Sequence, residues 1–181
     1  MRLPDIIGLQ ADRLSYQKVI ADANARLQAE LEKFDAEKIS KVTFLKRSKD
    51  ILNASYKRAF LKGSGLTKVS AEGQEWLENF SEKQFGFLDA FATDIEAGAG
   101  KVEYDTRMGM YANAIQAAYW SGSIVGSDHP LNWITTANES CDDCLDMQSK
   151  NPWEPTDLMR VPGDGSTECK THCKCRLVRS K

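Results

Sequence analysis

Apolar residues recur at intervals of three and four along most of the first two thirds of the chain, and that spacing predicts helices. Ala23, Leu27, Leu31 and Phe34 form one series; Val42, Leu45, Leu52, Tyr56 and Phe60 form a second with one wider gap. From an entry at Leu3-Pro4-Asp5, where proline suits a helix start, no glycine follows Gly8 and no further proline occurs before Lys62. The segment reads as one long helix or as two separated near Asp35 to Ser40. Its apolar stripe is narrow and its polar face wide, so it needs a surface to dock on, either downstream helices or a neighbouring subunit.

Gly63-Ser64-Gly65 ends that run as a short linker. Ser70 is a suitable N-cap, with Glu72 and Glu75 in the first turn where the helix dipole favours acids. Trp76, Leu77, Phe80, Phe87, Leu88, Phe91 and Ile95 then give an aromatic stripe that reads as core. Gly98-Ala99-Gly100 closes this helix, and Asp105 is placed to cap the next, which carries Met108, Tyr111, Ala112, Ile115, Ala118 and Tyr119 on one side. After Gly122 and Gly126 the pattern changes to a short strand at 133–136, turns rich in proline and glycine, and a returning strand at 175–178 able to pair with the first. The predicted fold is mainly α: a helical arm over 1–62, an antiparallel helical core over 63–128, and a small cysteine-rich module with short β-strands over 129–181.

Charge alters this picture only locally. Over 181 residues the formal net charge is −2. Residues 1–62 nevertheless hold 13 Lys/Arg against 8 Asp/Glu, while 63–140 hold 4 against 11, so the start is basic and the middle acidic. Within 38–62, eight basic residues, Lys46, Arg47 and Lys49 among them, face only Asp50, a density that attracts phosphate or pairs with the acidic middle segment. The first residues contain Asp5, Asp12 and Arg13 and no secretory apolar core, and no run is long enough for a membrane span, so a chain made in the cytoplasm is expected.

All five cysteines fall in two tight clusters: Cys141-Asp142-Asp143-Cys144 and Cys169-Lys170-Thr171-His172-Cys173-Lys174-Cys175. Clusters of soft ligands separated by a polar loop are what a tetrahedral zinc site requires. Two aspartates between Cys141 and Cys144 disfavour free thiolates, and a bound cation would offset them. Four thiolates around Zn²⁺ carry a charge of minus two, which Lys170, Lys174, Arg176 and Arg179 are placed to balance. Four of the five cysteines are expected to ligate a structural zinc ion. Cys141, Cys144 and Cys169 have no competitors, and the fourth place is open to Cys173, Cys175 or His172, with Cys173 preferred; Cys173 and Cys175, as alternate residues of an extended segment, can both face one metal. With so little apolar surface expected in the module, ligation would supply its folding energy.

Gly163-Asp164-Gly165-Ser166-Thr167-Glu168-Cys169, followed by Cys173-Lys174-Cys175-Arg176-Leu177 and preceded by Trp133 and the Cys141/Cys144 pair, resembles the C-terminal signature of tailed-phage head morphogenesis proteins, the Mu F-like minor capsid family. Arg107-Met108-x-Met110-Tyr111-Ala112 and Tyr119-Trp120-x-Gly122 are similar to what precedes that signature, so the likeness spans roughly residues 105 to 178. It implies a structural minor capsid protein in the phage head, present in several copies and acting through contacts with capsid or portal proteins. On that reading the arm's Leu27, Leu31, Phe34 and Leu45 are candidates for partner binding.

Enzyme chemistry is not expected. His129 and His172 are the only histidines, neither lies in a nucleophile-base motif, and no glycine-rich phosphate loop occurs. The alternative is a zinc-containing nucleic-acid-binding protein, contacting packaged DNA non-specifically through Lys46, Arg47 and Lys49. No helical Cys/His finger is present to support sequence reading.

Overall fold

The chain turns between Asp35 and Lys41, where the apolar spacing predicts a break. The computed structural model describes residues 3–98, 104–136 and 140–180, with side chains from Tyr16 onward. Its helices are α1 (Leu3–Asp35), α2 (Lys41–Ser64), α3 (Ala71–Glu96), α4 (Tyr104–Asn113), α5 (Ile115–Val125) and α6 (Asp142–Ser149), and its strands are β1 (Leu131–Ile134) and β2 (Arg176–Arg179). The fold is mainly helical with one small antiparallel sheet near the cysteines.

Local chemistry sets the helix ends. The Ser40 hydroxyl accepts from Thr43 N at 3.3 Å and the Ser70 hydroxyl from Gly73 N at 3.1 Å, capping α2 and α3. Gly65, at φ 68, ends α2 in the left-handed conformation, its N–H reaching Leu61 O. Asp105 lies within the first turn of α4 rather than ahead of it. Gly98 follows α3, while Ala99 and Gly100 lie outside the described residues.

From α1 to α4 successive helices run antiparallel, as their contacts show, while α5 follows α4 after the single helical residue Ala114. Phe34 stacks on Phe44 at 4.8 Å across the first turn. Lys41 meets Glu96, Lys49 meets Asp89 and Phe60 meets Trp76, so α2 and α3 run in opposite directions. Arg107 pairs with Asp94, and the Tyr111 hydroxyl donates to Phe87 O at 2.9 Å, which sets α4 against α3.

Glycines act differently from the linker and break that the sequence suggests. Gly63 lies inside α2 and Gly122 inside α5, where the two helices cross in backbone contact. A Cβ on Gly63 would lie 1.9 Å from Tyr119 O, and one on Gly122 would lie 2.1 Å from Phe60 O. Only hydrogen in place of a side chain permits this approach.

Several expected positions shift. Val42 is exposed, and Phe44 takes the inner position because the buried series runs 44, 48, 51, 52, 55, 56, 59 and 60. Phe87 is half exposed, one step off the inner face of α3. The expectation of an arm open for partner binding is corrected: Leu27 is 0% exposed, Leu31 and Phe34 are buried, and Leu45 packs partly buried against the same core. The intramolecular helices supply the cover, with Tyr16 of α1 set against Tyr119 and Trp120 of α5. One hydrophobic cluster includes Leu27, Phe60, Trp133 and Leu177, so arm, helices and cysteine module share a core.

Candidate metal centre

β1 and β2 form the frame of the site. They pair antiparallel with Leu131 opposite Arg179 and Trp133 opposite Leu177. The first strand lies earlier than the expected 133–136, because side chains capture the later backbone. Thr135 N donates to Gln148 Oε1 at 2.8 Å and Thr136 N to Ser140 Oγ at 3.1 Å. On the other side of β1, Leu131 exchanges backbone bonds with Trp153, both 2.8 Å. Asn151 brackets Trp133 with its amide, accepting from the backbone N–H at 2.7 Å and donating to the carbonyl at 2.8 Å. The module also buries Trp133, Met147, Leu158, Val161 and Leu177, more apolar surface than its sequence suggests.

All five sulfurs converge. Cys141 sits at the N-cap of α6 and Cys144 one turn in. A 3-10 turn at Lys170–His172 follows Cys169, and Cys175 immediately precedes β2. The Sγ–Sγ distances are 3.5 Å for Cys141–Cys169, 3.7 Å for Cys144–Cys169 and 3.6 Å for Cys144–Cys173. A disulfide bond is about 2.05 Å, so these thiols are not bonded. Four sulfurs about 2.3 Å from a central zinc lie about 3.8 Å apart, so each of these three distances is close to one edge of a thiolate tetrahedron. Cys141, Cys144 and Cys169 form one triad and Cys144, Cys173 and Cys175 a second, each within 4.8 Å, with Cys144 common to both. This set can hold a metal ion. His172 is exposed and belongs to neither triad; its ring lies 3.5 Å from the Asn113 amide.

The thiols share protons unevenly. Burial raises the Cys144 pKa, and a hydrogen bond with Cys175, followed by burial, raises that of Cys173. That same bond with Cys173 outweighs burial and lowers Cys175, aided by Cys144, Trp133 and Ser140. Among the described residues the buried Trp133 indole N–H has no close hydrogen-bond partner, and the Cys175 thiolate that it helps to stabilise is its natural counterpart. Burial opposes the Cys141 thiolate, but the backbone N–H groups of Cys144 and Cys169 and the neighbouring thiols overcome it and lower its pKa. Helix geometry thus favours a thiolate where the adjacent aspartates alone suggest the reverse. Asp143 turns instead to the second cluster, its carboxylate accepting from Glu168 N at 2.9 Å.

Gln116 is a site residue that the motifs do not show. It is buried on α5, and its amide donates to Cys173 O at 2.9 Å and to Cys175 O at 3.4 Å. Its signal is a single amide within the apolar run from Ala114 to Ala118. Gly163, at φ 85, lets the 162–165 turn lie against that side chain, and Asp164 braces the turn by accepting from Val161 N and Ser166 N.

Lys46, Arg47 and Lys49 do not form one patch. Arg47 pairs with Glu30 of α1 at 3.1 Å, Lys49 pairs with Asp89 of α3 at 2.9 Å, and Lys46 is exposed. At about 100° per residue Arg47 leaves α2 in a different direction from Lys46 and Lys49, and Arg47 and Lys49 meet carboxylates on different helices. No helix among the described residues is long and apolar enough to cross a membrane. No family model, curated protein or solved structure matches the chain.

Proposed function

We propose that this chain is a structural, non-enzymatic minor capsid or head-morphogenesis protein of a tailed bacteriophage, acting through protein contacts at the capsid or portal. In this reading a zinc ion on Cys141, Cys144, Cys169 and Cys173 fixes the C-terminal module to the helices. Cys175 remains as a neighbour of the tetrahedron. One observation carries the proposal: Gln116, which lies on α5 between segments that bear the likeness to that family, joins them to the turn and the second cysteine cluster that bear it too. Gly163 of the turn rests on Gln116, Gln116 holds the backbone of the second cysteine cluster, and Gly122 of the same helix crosses α2. A set that holds only cysteines among the described residues suits a closed, structural zinc site rather than a catalytic one.

Mass spectrometry of purified phage heads tests the role. A fixed copy number relative to the portal is the expected result, and absence both from heads and from their assembly intermediates rejects it.

A further inference from the structure

A cleft lies between the C-terminal ends of α2 and α5 and the two-stranded sheet. Its volume is about 540 Å³, and its lining includes Lys62, Lys174, Arg176 and Arg179 but no aspartate or glutamate among the described residues. Four cations are therefore concentrated around one concavity in a chain whose net charge is −2. Lys41, Arg47 and Lys49 of the basic run each meet a carboxylate, whereas Lys62 and Arg176 of the cleft meet none among the described residues. Arg179 donates to Gly126 O at 3.3 Å, and a guanidinium with five N–H donors is not exhausted by that bond.

We propose that this cleft binds the phosphate backbone of nucleic acid without reading its sequence. The site goes beyond the structural role proposed above and does not depend on it. Arginine, with its planar fork of donors, and lysine, as a point charge, are the side chains that hold phosphate. The aromatic wall argues against base readout. Tyr119 and Trp120 line the cleft but are 5% and 6% exposed, so neither offers a face for stacking. An acidic peptide fits less well. Peptide docking uses apolar anchors, and none of the exposed large hydrophobic residues, Val42, Leu66, Phe87, Leu145 and Met159, lines the cleft. Polyanion binding by counterion release needs no such anchor.

Fluorescence anisotropy of the full chain with labelled DNA oligonucleotides of differing sequence, titrated across salt, tests the proposal. Four phosphate contacts give a slope of log K against log salt of about −3, equal across sequences. Lys62→Glu with Arg176→Glu should weaken binding at least tenfold and flatten the slope by about 1.5. Lys38→Glu with Lys46→Glu, the same charge change outside the cleft, should weaken it less than threefold. Equal effects of the two pairs, sequence-selective binding, or no binding by the parent chain would overturn the proposal. Tighter binding of poly-glutamate than of DNA would assign the cleft to an acidic peptide instead. Should the cleft variant fail to fold, acetylation of the parent chain decides: bound DNA must protect Lys62 and Lys174 more than Lys46, and equal labelling rejects the site.

Discussion

The side-chain amide of Gln116 donates to the carbonyl of Cys173 at 2.9 Å, so a helix in the core holds the backbone between two cysteines of the candidate metal centre. Gln116→Leu roughly keeps the volume but removes the donor, leaving the carbonyls of Cys173 and Cys175 without it in a buried setting. Such a loss costs about 1–3 kcal/mol. Urea denaturation should show that loss, together with weaker metal retention in a chelator competition. Parent-like values in both measurements would assign Gln116 no bracing role.

The metal set makes a sharper prediction. Purified under reducing conditions, the chain should carry one zinc ion. Cys144→Ser, which removes the thiol common to both triads, should abolish binding, whereas Cys175→Ser should retain it and Cys173→Ser should not. Elemental analysis of the three variants decides the fourth ligand. Zinc lost from Cys175→Ser and kept by Cys173→Ser would exchange the two roles.

Glycine positions that look alike in sequence should respond in opposite directions. Gly122→Ala places a methyl group 2.1 Å from the Phe60 carbonyl oxygen, and separating the helices to fit it should cost about 1–3 kcal/mol. Gly86, within α3, has open space where a methyl group would stand, with no described atom beyond its chain neighbours and its own helix backbone inside 4 Å, so Gly86→Ala should stabilise by roughly 0.5–1 kcal/mol. Opposite shifts of the denaturation midpoint are the expected readout.

Glu30 sets an acid-side dependence. Its hydrogen bond with Lys33, opposed by burial and reinforced by Arg47, lowers its pKa below the usual 4.5. A carboxyl whose folded pKa is depressed contributes stability that is fully present above the unfolded value and is lost as pH falls through the folded one. Stability should therefore decline below about pH 4.5 with a component that Glu30→Gln removes. Identical slopes for parent and variant over that window would deny Glu30 this part.

The helices were legible because their signals are local. Ser40 and Ser70 cap what the apolar spacing outlines, and the break after Asp35 follows from the end of one stripe. Which side of a stripe faces inward was less legible, since Val42 and Phe44, or Phe87 and Leu88, differ by a step or two that only the neighbouring helix decides. Leu27 and Leu31 illustrate the same limit: a narrow stripe does not disclose whether its cover comes from the same chain. The cysteine clusters announced a site able to hold a metal ion through ligand type and spacing. Gln116 and Asn151 did not announce themselves, because each acts on backbone far away in sequence. The cationic cleft was equally hidden, being assembled from the end of α2 and the second strand.

The pairing of Leu131 with Arg179 also has a bearing on the order of events during synthesis. Every cysteine lies between those two residues, so the strands that frame the centre cannot meet until the chain has emerged almost to its last described residue. Neighbouring antiparallel helices form from local contacts and need not wait, whereas closing a long loop is slower. The helices thus stand ready as a platform while the thiols are still open to metal or to reagent. In refolding from denaturant, helical signal should return before the cysteines become protected from alkylation; protection that precedes the helices would mean that metal gathers the module first.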